Sequence, residues 1–172
     1  MSKAHDHYSN ALIQRILDEV KTIAMVGASA NWKRPSYFAM KYLQGKGYRV
    51  IPVNPREAGN EILGETCYAQ LADVAKAIAP EAIDMVDIFR NSEAAGGVTD
   101  EAIALLAESS GAKVIWMQLE VRNDEAAARA EAAGLTVIMN RCPKIEYSRL
   151  HRELGWSGIN TGVISSRRRK VS

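Results

Sequence analysis

The segment TIAMVGASANWKR, Thr22–Arg34, decides how the rest of the chain is read. An apolar run (Ile23, Ala24, Met25, Val26) reaches Gly27, passes through a turn of small residues and meets Arg34-Pro35. Proline is favoured at the first position of a helix, where its missing N–H costs nothing. A buried strand that delivers a glycine turn to a helix N-terminus makes an anion site. The free amides of the first helical turn and the positive end of the helix dipole both face the turn. The pattern predicts a phosphorylated nucleotide as the ligand.

Working outward, strand-like and helix-like segments alternate. Before the quoted stretch, Leu12, Ile13, Ile16, Leu17 and Val20 recur at helical spacing and predict a helix over Ser9–Val20. After it come an expected helix Pro35–Lys46, closed by Gly45 and Gly47, and a strand Tyr48–Val53, stopped by Pro55. A strand Ile83–Phe89, a helix Glu93–Glu108, a strand Lys113–Met117, an alanine-rich helix Asp124–Ala133 capped at Gly134 and a strand Leu135–Met139 follow. Between Glu57 and Val74 the pattern is weaker; Glu61–Leu63 reads as a short strand and Leu71–Ala79 as a helix. Strands that are apolar runs rather than alternations, separated by helices, indicate a parallel sheet covered on both faces. The expected fold is a three-layer α/β domain, doubly wound and Rossmann-like, with a mainly parallel sheet.

At 172 residues the chain is sized for one domain. Its 47% hydrophobic and 24% charged residues are ordinary for a globular protein. No apolar run approaches the roughly 18 residues a membrane span needs. The opening MSKAHDHYSN lacks the apolar core of a secretory signal, and two cysteines, Cys67 and Cys142, make no disulfide framework. A cytoplasmic protein that meets no membrane is expected. The formal charge of +2 conceals an acidic body, because Arg167, Arg168, Arg169 and Lys170 alone supply +4 and leave −2 for the rest. Such a body is a poor nucleic-acid binder, so no nucleic acid is expected as partner. The expected organisation is an N-terminal helix packed on the domain (1–21), the nucleotide-binding domain (22–154) and a basic tail (155–172), solvated or docked on a partner.

In an open α/β sheet, ligands sit beyond the carboxyl ends of the strands, at the point where the strand order reverses. The residues to weigh are therefore Gly27, Ala28 and Ser29, then Asn54, Pro55 and Arg56, then Phe89 and Arg90, then Gln118. The G-x-G-x-x-G fingerprint of dinucleotide sites is absent: Ser29 and Trp32 replace its second and third glycines. The second strand ends in Asn54 rather than an acid, which disfavours NAD and leaves room for a phosphate on the adenosine ribose. Gly27 and Ser29 offer donors to phosphate, or form a tight turn that binds nothing. Lys33 and Arg34 beside the turn, with Pro35 opening the helix, could neutralise phosphates, as could Arg56 and Arg90. Each is otherwise a solvated surface charge. Trp32 and Phe89 could flank an adenine; Trp116, inside its strand, reads as core.

No catalytic set emerges. Cys142 has no histidine near it in the body of the chain, since His5, His7 and His151 lie towards the ends. Cys67 reads as a small buried hydrophobe. Neither cysteines nor histidines have metal-ligand spacing. Asp84 and Asp87, three apart on a strand, fall on opposite faces and cannot share a proton.

The blocks IAMVGAS (23–29), RPSY (34–37), YLQGKGYRVIPVNP (42–55), EILGE (61–65), VDIFR (86–90), VIWMQLEVRN (114–123) and AAGLTVIMNRCPKIEYSRL (132–150) carry a family resemblance. In this combination the chain resembles the small bacterial CoA-binding proteins, similar in turn to the N-terminal CoA-binding domain of the succinyl-CoA synthetase alpha subunit. The resemblance implies coenzyme A or acyl-CoA as the ligand of a non-catalytic carrier or sensor, with the Gly27–Ser29 turn and Arg34 facing the ADP phosphates. It puts Asn54, Pro55 and Arg56 along the nucleotide and Phe89, Arg90 and Gln118 on the far side. Glu120 departs from the glycine that relatives often have after W-x-Q-x, and would narrow or charge the site. The alternative is an enzyme on the same scaffold, an NADP-dependent reductase or a CoA-thioester enzyme. A homodimer, or docking on another protein, remains open at this level.

Overall fold

The computed structural model describes residues 3–152. After a 3-10 turn at Lys3–His5 the chain forms α1 (Asn10–Glu19), β1 (Thr22–Val26), α2 (Pro35–Gly45) and β2 (Arg49–Val53). A short hairpin follows, β3 (Glu61–Ile62) and β4 (Glu65–Thr66), and then α3 (Leu71–Ile78) and β5 (Met85–Ile88). The remainder is α4 (Ser92–Leu106), β6 (Val114–Met117), α5 (Asp124–Ala132), β7 (Thr136–Ile138) and α6 (Pro143–Leu150). The basic tail expected over 155–172 lies outside the described residues.

Helix starts are set by side chains that satisfy first-turn amides. Ser9 Oγ accepts from Leu12 N at 3.1 Å to open α1, and Asn91 Oδ1 accepts from Ala94 N at 2.8 Å to open α4. Asn123 does the same for α5, accepting from Ala126 N at 3.0 Å. The alanine-rich α5 places Asp124 and Glu125 in its first turn, where the dipole favours acids, and is followed by Gly134 at φ +88°.

The five long strands form one parallel sheet in the order β2-β1-β5-β6-β7. Period-2 alternation along each strand feeds two cores. Ala24, Val26, Val53, Val86 and Ile88 face the side covered by α3, α4 and α5. Ile23, Met25, Met85, Val114 and Trp116 face the side of α1, α2 and α6. The three-layer, doubly wound Rossmann-like fold read from the sequence is therefore the fold of the protein. The order reverses at β1: the chain leaves it through α2 to β2 on one side and returns through α3 to β5 on the other. Among the described residues no helix is long and apolar enough to cross a membrane.

The structure departs from the sequence reading at α6. The buried face of that helix is Pro143, Glu146, Tyr147 and Ser148, so hydrophobic periodicity does not reveal it. Glu146 is held by Arg149 at 2.6 Å, and Tyr147 stacks on His151 with ring centroids 3.9 Å apart. Trp116 Nε1 donates to Arg141 O at 2.9 Å, tying the loop before α6 back to the sheet.

Candidate functional site

At the reversal point β1 ends and the chain turns through Gly27, whose φ of +88° glycine adopts without steric cost. Both neighbours grip the turn: Gly27 N donates to Val53 O at 2.9 Å, and Phe89 N donates to Val26 O at 2.8 Å. A Cβ at Gly27 would run into the Phe89 carbonyl oxygen and stand 2.9 Å from its carbon. Downstream, Ser29 Oγ accepts from Asn31 N at 3.1 Å, and Asn31 Oδ1 accepts from Lys33 N at 3.0 Å. Among the described residues no acceptor meets the amides of Ala28, Ser29 or Ser36. These are the donors an anion needs.

Asn54, just past β2, is committed on both sides. Its Nδ2 donates to Ala28 O at 2.8 Å and its Oδ1 accepts from Arg56 N at 3.0 Å. The side chain thus fastens the end of β2 to the glycine turn.

Above these strand ends opens a cavity of about 880 Å3. Nine of the twelve residues weighed from the sequence line it: Gly27, Ser29, Arg34, Pro35, Asn54, Pro55, Arg56, Phe89 and Arg90. Three guanidinium groups thus border it, together with the N-terminus of α2. Ala28, Lys33 and Gln118 do not line it. Ala28 is buried beneath the turn, Lys33 lies over the exposed Trp32 ring at 5.5 Å, and Gln118 is buried beside β5, donating to Asp87 Oδ1 at 2.8 Å.

The sequence reading missed Ser36, Glu57, Gln70, Val98 and Glu101, all in the lining. Ser36 was detectable, being the first amide-bearing residue after the proline that opens α2. Val98 and Glu101 come from the second and third turns of α4, three residues apart, and only the packing of that helix against the sheet points them at the cavity. Glu57 and Glu101 set negative charge against the arginines.

Other reactive groups are subdued. Burial, the largest cause, pushes both the Cys67 and the Cys142 thiols up. Cys67 Sγ lies 3.7 Å from Asn54 O and 3.8 Å from Tyr68 O. Asp84 is structural: its carboxylate accepts from the amides of Lys21, Thr22 and Ala112 at 2.9–3.1 Å. Among the described residues no three of His, Cys, Asp and Glu gather as metal ligands. Asp87 is different, wholly buried on the opposite face of β5, with Oδ2 meeting no hydrogen-bond partner. Desolvation raises its pKa to about 7, with the Gln118 bond pulling the other way.

Glu120 does not line the cavity. Exposed, at φ +67°, it lies in the left-handed region that costs a side chain about 1–2 kcal/mol. Its amide donates to Asn140 Oδ1 at 2.8 Å, fixing that conformation. Replacing Glu120 by glycine removes the strain and adds back some unfolded-chain entropy, for a net gain of about 0.5–1 kcal/mol. A melting temperature raised by about 1–4 °C, with ligand affinity unchanged, is the expected result.

Residues 21–148 match the family described as a CoA binding domain. The uncharacterized protein YneT of Bacillus subtilis (strain 168) is 36% identical over 140 residues, 81% of this chain and 95% of that protein. The structure of cell-free ID.343 from Thermus thermophilus superposes with a TM-score of 0.73 at 34% identity, covering 83% of this chain and 99% of that one. A hypothetical protein from Pyrococcus horikoshii OT3 reaches the same TM-score of 0.73 at 36% identity, over 88% and 98% of the two chains. The glycine turn and the parallel sheet fall within the matched span, as do the resemblance blocks save the last two residues of the final one, and the chain belongs to the CoA-binding-domain family.

Proposed function

We propose that the chain binds coenzyme A or an acyl-CoA in the cavity at the strand ends and holds it without transforming it, as a carrier or sensor. The observation that carries this reading is the convergence on one cavity of the Gly27–Ser29 turn, the start of α2 and the guanidinium groups of Arg34, Arg56 and Arg90. Coenzyme A bears a diphosphate and a separate ribose phosphate, so it needs cations at more than one place. In this reading the amides of Ala28, Ser29 and Ser36, the α2 dipole and Arg34 hold the diphosphate. Arg56 or Arg90 takes the ribose phosphate, while Val26, Val53 and Val98 pack on the adenine.

Arg34 stands at the N-cap of α2 and lines the cavity; its guanidinium, which only donates, cannot cap the helix's own amides and suits an anionic ligand instead. Changing Arg34 to alanine should weaken CoA about tenfold, the worth of one charge-assisted hydrogen bond at about 1.5 kcal/mol, and leave the melting temperature unchanged. Equal affinity in the variant would remove Arg34 from the site.

The test of the reading is a thermal-shift titration with CoA, acetyl-CoA, NADP, NAD and ATP. Ligand at about 100 times its dissociation constant adds about 2.7 kcal/mol. At about 2–4 °C per kcal/mol for a chain of this size, the shift is plain to see. A response to CoA and its thioesters above the others supports the proposal. A response to NADP alone sinks it and puts the reductase first.

A further inference from the structure

Behind the Phe89 wall of the cavity sits the one carboxyl oxygen among the described residues that is buried without a hydrogen-bond partner, Asp87 Oδ2. Asp87 and Phe89 are two residues apart along β5 and its continuation, hence on the same face and about 7 Å apart. The Phe89 backbone in turn abuts the Gly27 turn, where the amides of Ala28 and Ser29 meet no acceptor among the described residues. The acid is thus one pleat away from a residue that walls the cavity, and is itself wholly buried.

We propose that Asp87 couples occupancy of the cavity to proton uptake: it is protonated when the polyanionic ligand is bound and free to ionise when the cavity is empty. This rests on the CoA reading above. Two like charges separated by a low-dielectric wall repel strongly, so phosphate in the cavity disfavours the Asp87 carboxylate. Linkage makes the effect reciprocal, and the carboxylate disfavours phosphate by the same factor. The empty protein is poised for this, since burial already lifts Asp87 to about 7.

Few other groups can take over the role. The neighbours of Asp87 in the sheet are Met25 of β1 and Trp116 of β6, neither titratable, and its one side-chain partner is Gln118. From the start of α6 comes the Cys142 thiol, which Asp87 itself helps to push up. The charges of α6 are engaged elsewhere: Lys144 lies over the Phe38 and Tyr42 rings, and Glu146 is bonded to Arg149. On α2, Lys46 lies against the Tyr42 and Tyr147 rings, Lys41 is exposed, and Arg34 lines the cavity itself. The acids and base of α1, Arg15, Asp18 and Glu19, lie outside its buried face.

The test is calorimetric titration of CoA into the wild-type protein and into Asp87→Asn, at pH 7.5, in two buffers of different ionisation heat. The wild type should take up about half a proton more per ligand than the variant, and its affinity should fall about tenfold more between pH 6.5 and 8.5. Comparing the two proteins cancels the titration of the ligand's own phosphate. Gln118→Leu, which removes the donor that stabilises the carboxylate, should move the wild-type transition to higher pH. Equal proton numbers in wild type and Asp87→Asn overturn the coupling and leave CoA binding standing. Absence of binding heat in both proteins overturns the ligand reading and the coupling with it. A merely structural acid would change melting with pH and leave the proton number of binding unmoved.

Discussion

Gly27→Ala will lower the stability of the protein by roughly 3 kcal/mol or more and abolish the binding proposed for its cavity. Two costs combine. The backbone at φ +88° is strained for any side chain, by about 1–2 kcal/mol. The added methyl would also strike the Phe89 carbonyl, a backbone group held in the ladder beside Val26, which cannot swing away as a side-chain tip would. Relief requires β1 and β5 to part at the end where the ligand is expected. At about 2–4 °C per kcal/mol, the melting temperature should fall by 6 °C or more, with CoA no longer producing a shift. Gly59→Ala is the control, because its φ is +87° but nothing lies within 4 Å of the added carbon. It should show the conformational cost alone. Equal losses at the two positions would mean that the Phe89 contact yields freely.

Asp87→Asn should stabilise the protein in alkaline solution and do nothing in acid. Burial holds the folded Asp87 carboxyl at about 7, against 3.8 for a free aspartate. Below pH 4 the carboxyl is protonated folded or unfolded, so burial costs no ionisation energy. Between 4 and 7 only the unfolded chain gives up its proton, and stability drains away as the pH rises. Above 7 the loss is complete, at about 4 kcal/mol for a carboxyl held about three pH units above its free value. Melting curves of the two proteins should therefore coincide near pH 3 and stand about 8–16 °C apart at pH 8. A constant gap at all pH values would show that Asp87 titrates normally in the folded state.

The unit from Ile23 to the start of α2 was fully legible, because an apolar run, a glycine and a proline each impose a local geometry that the rest of the fold respects. Layers followed from the same logic, since unbroken apolar strands need cover on both sides. What the chain did not announce was spatial order. Gln118 follows a strand just as Arg90 does, yet β6 lies one place beyond the reversal point, and its end faces Asp87 rather than the cavity. Val98 and Glu101 were hidden for the converse reason, being remote in sequence from any strand end. The helix α6 escaped because its buried face mixes Glu146 and Ser148 with Pro143 and Tyr147 and so shows no apolar stripe. Glu120 was recognisable as a departure, but its consequence is a backbone angle rather than a charge in the site.

Asn54 has one more consequence, and it concerns time. By bonding Ala28 O and Arg56 N simultaneously, it locks the end of one strand to the turn of the next before any guest arrives. A turn fixed in advance adds no ordering step of its own to binding, so encounter weighs more in how fast the cavity fills. On the proposed CoA reading, thioesters with different acyl groups should then enter at nearly the same speed and be told apart by how long they stay.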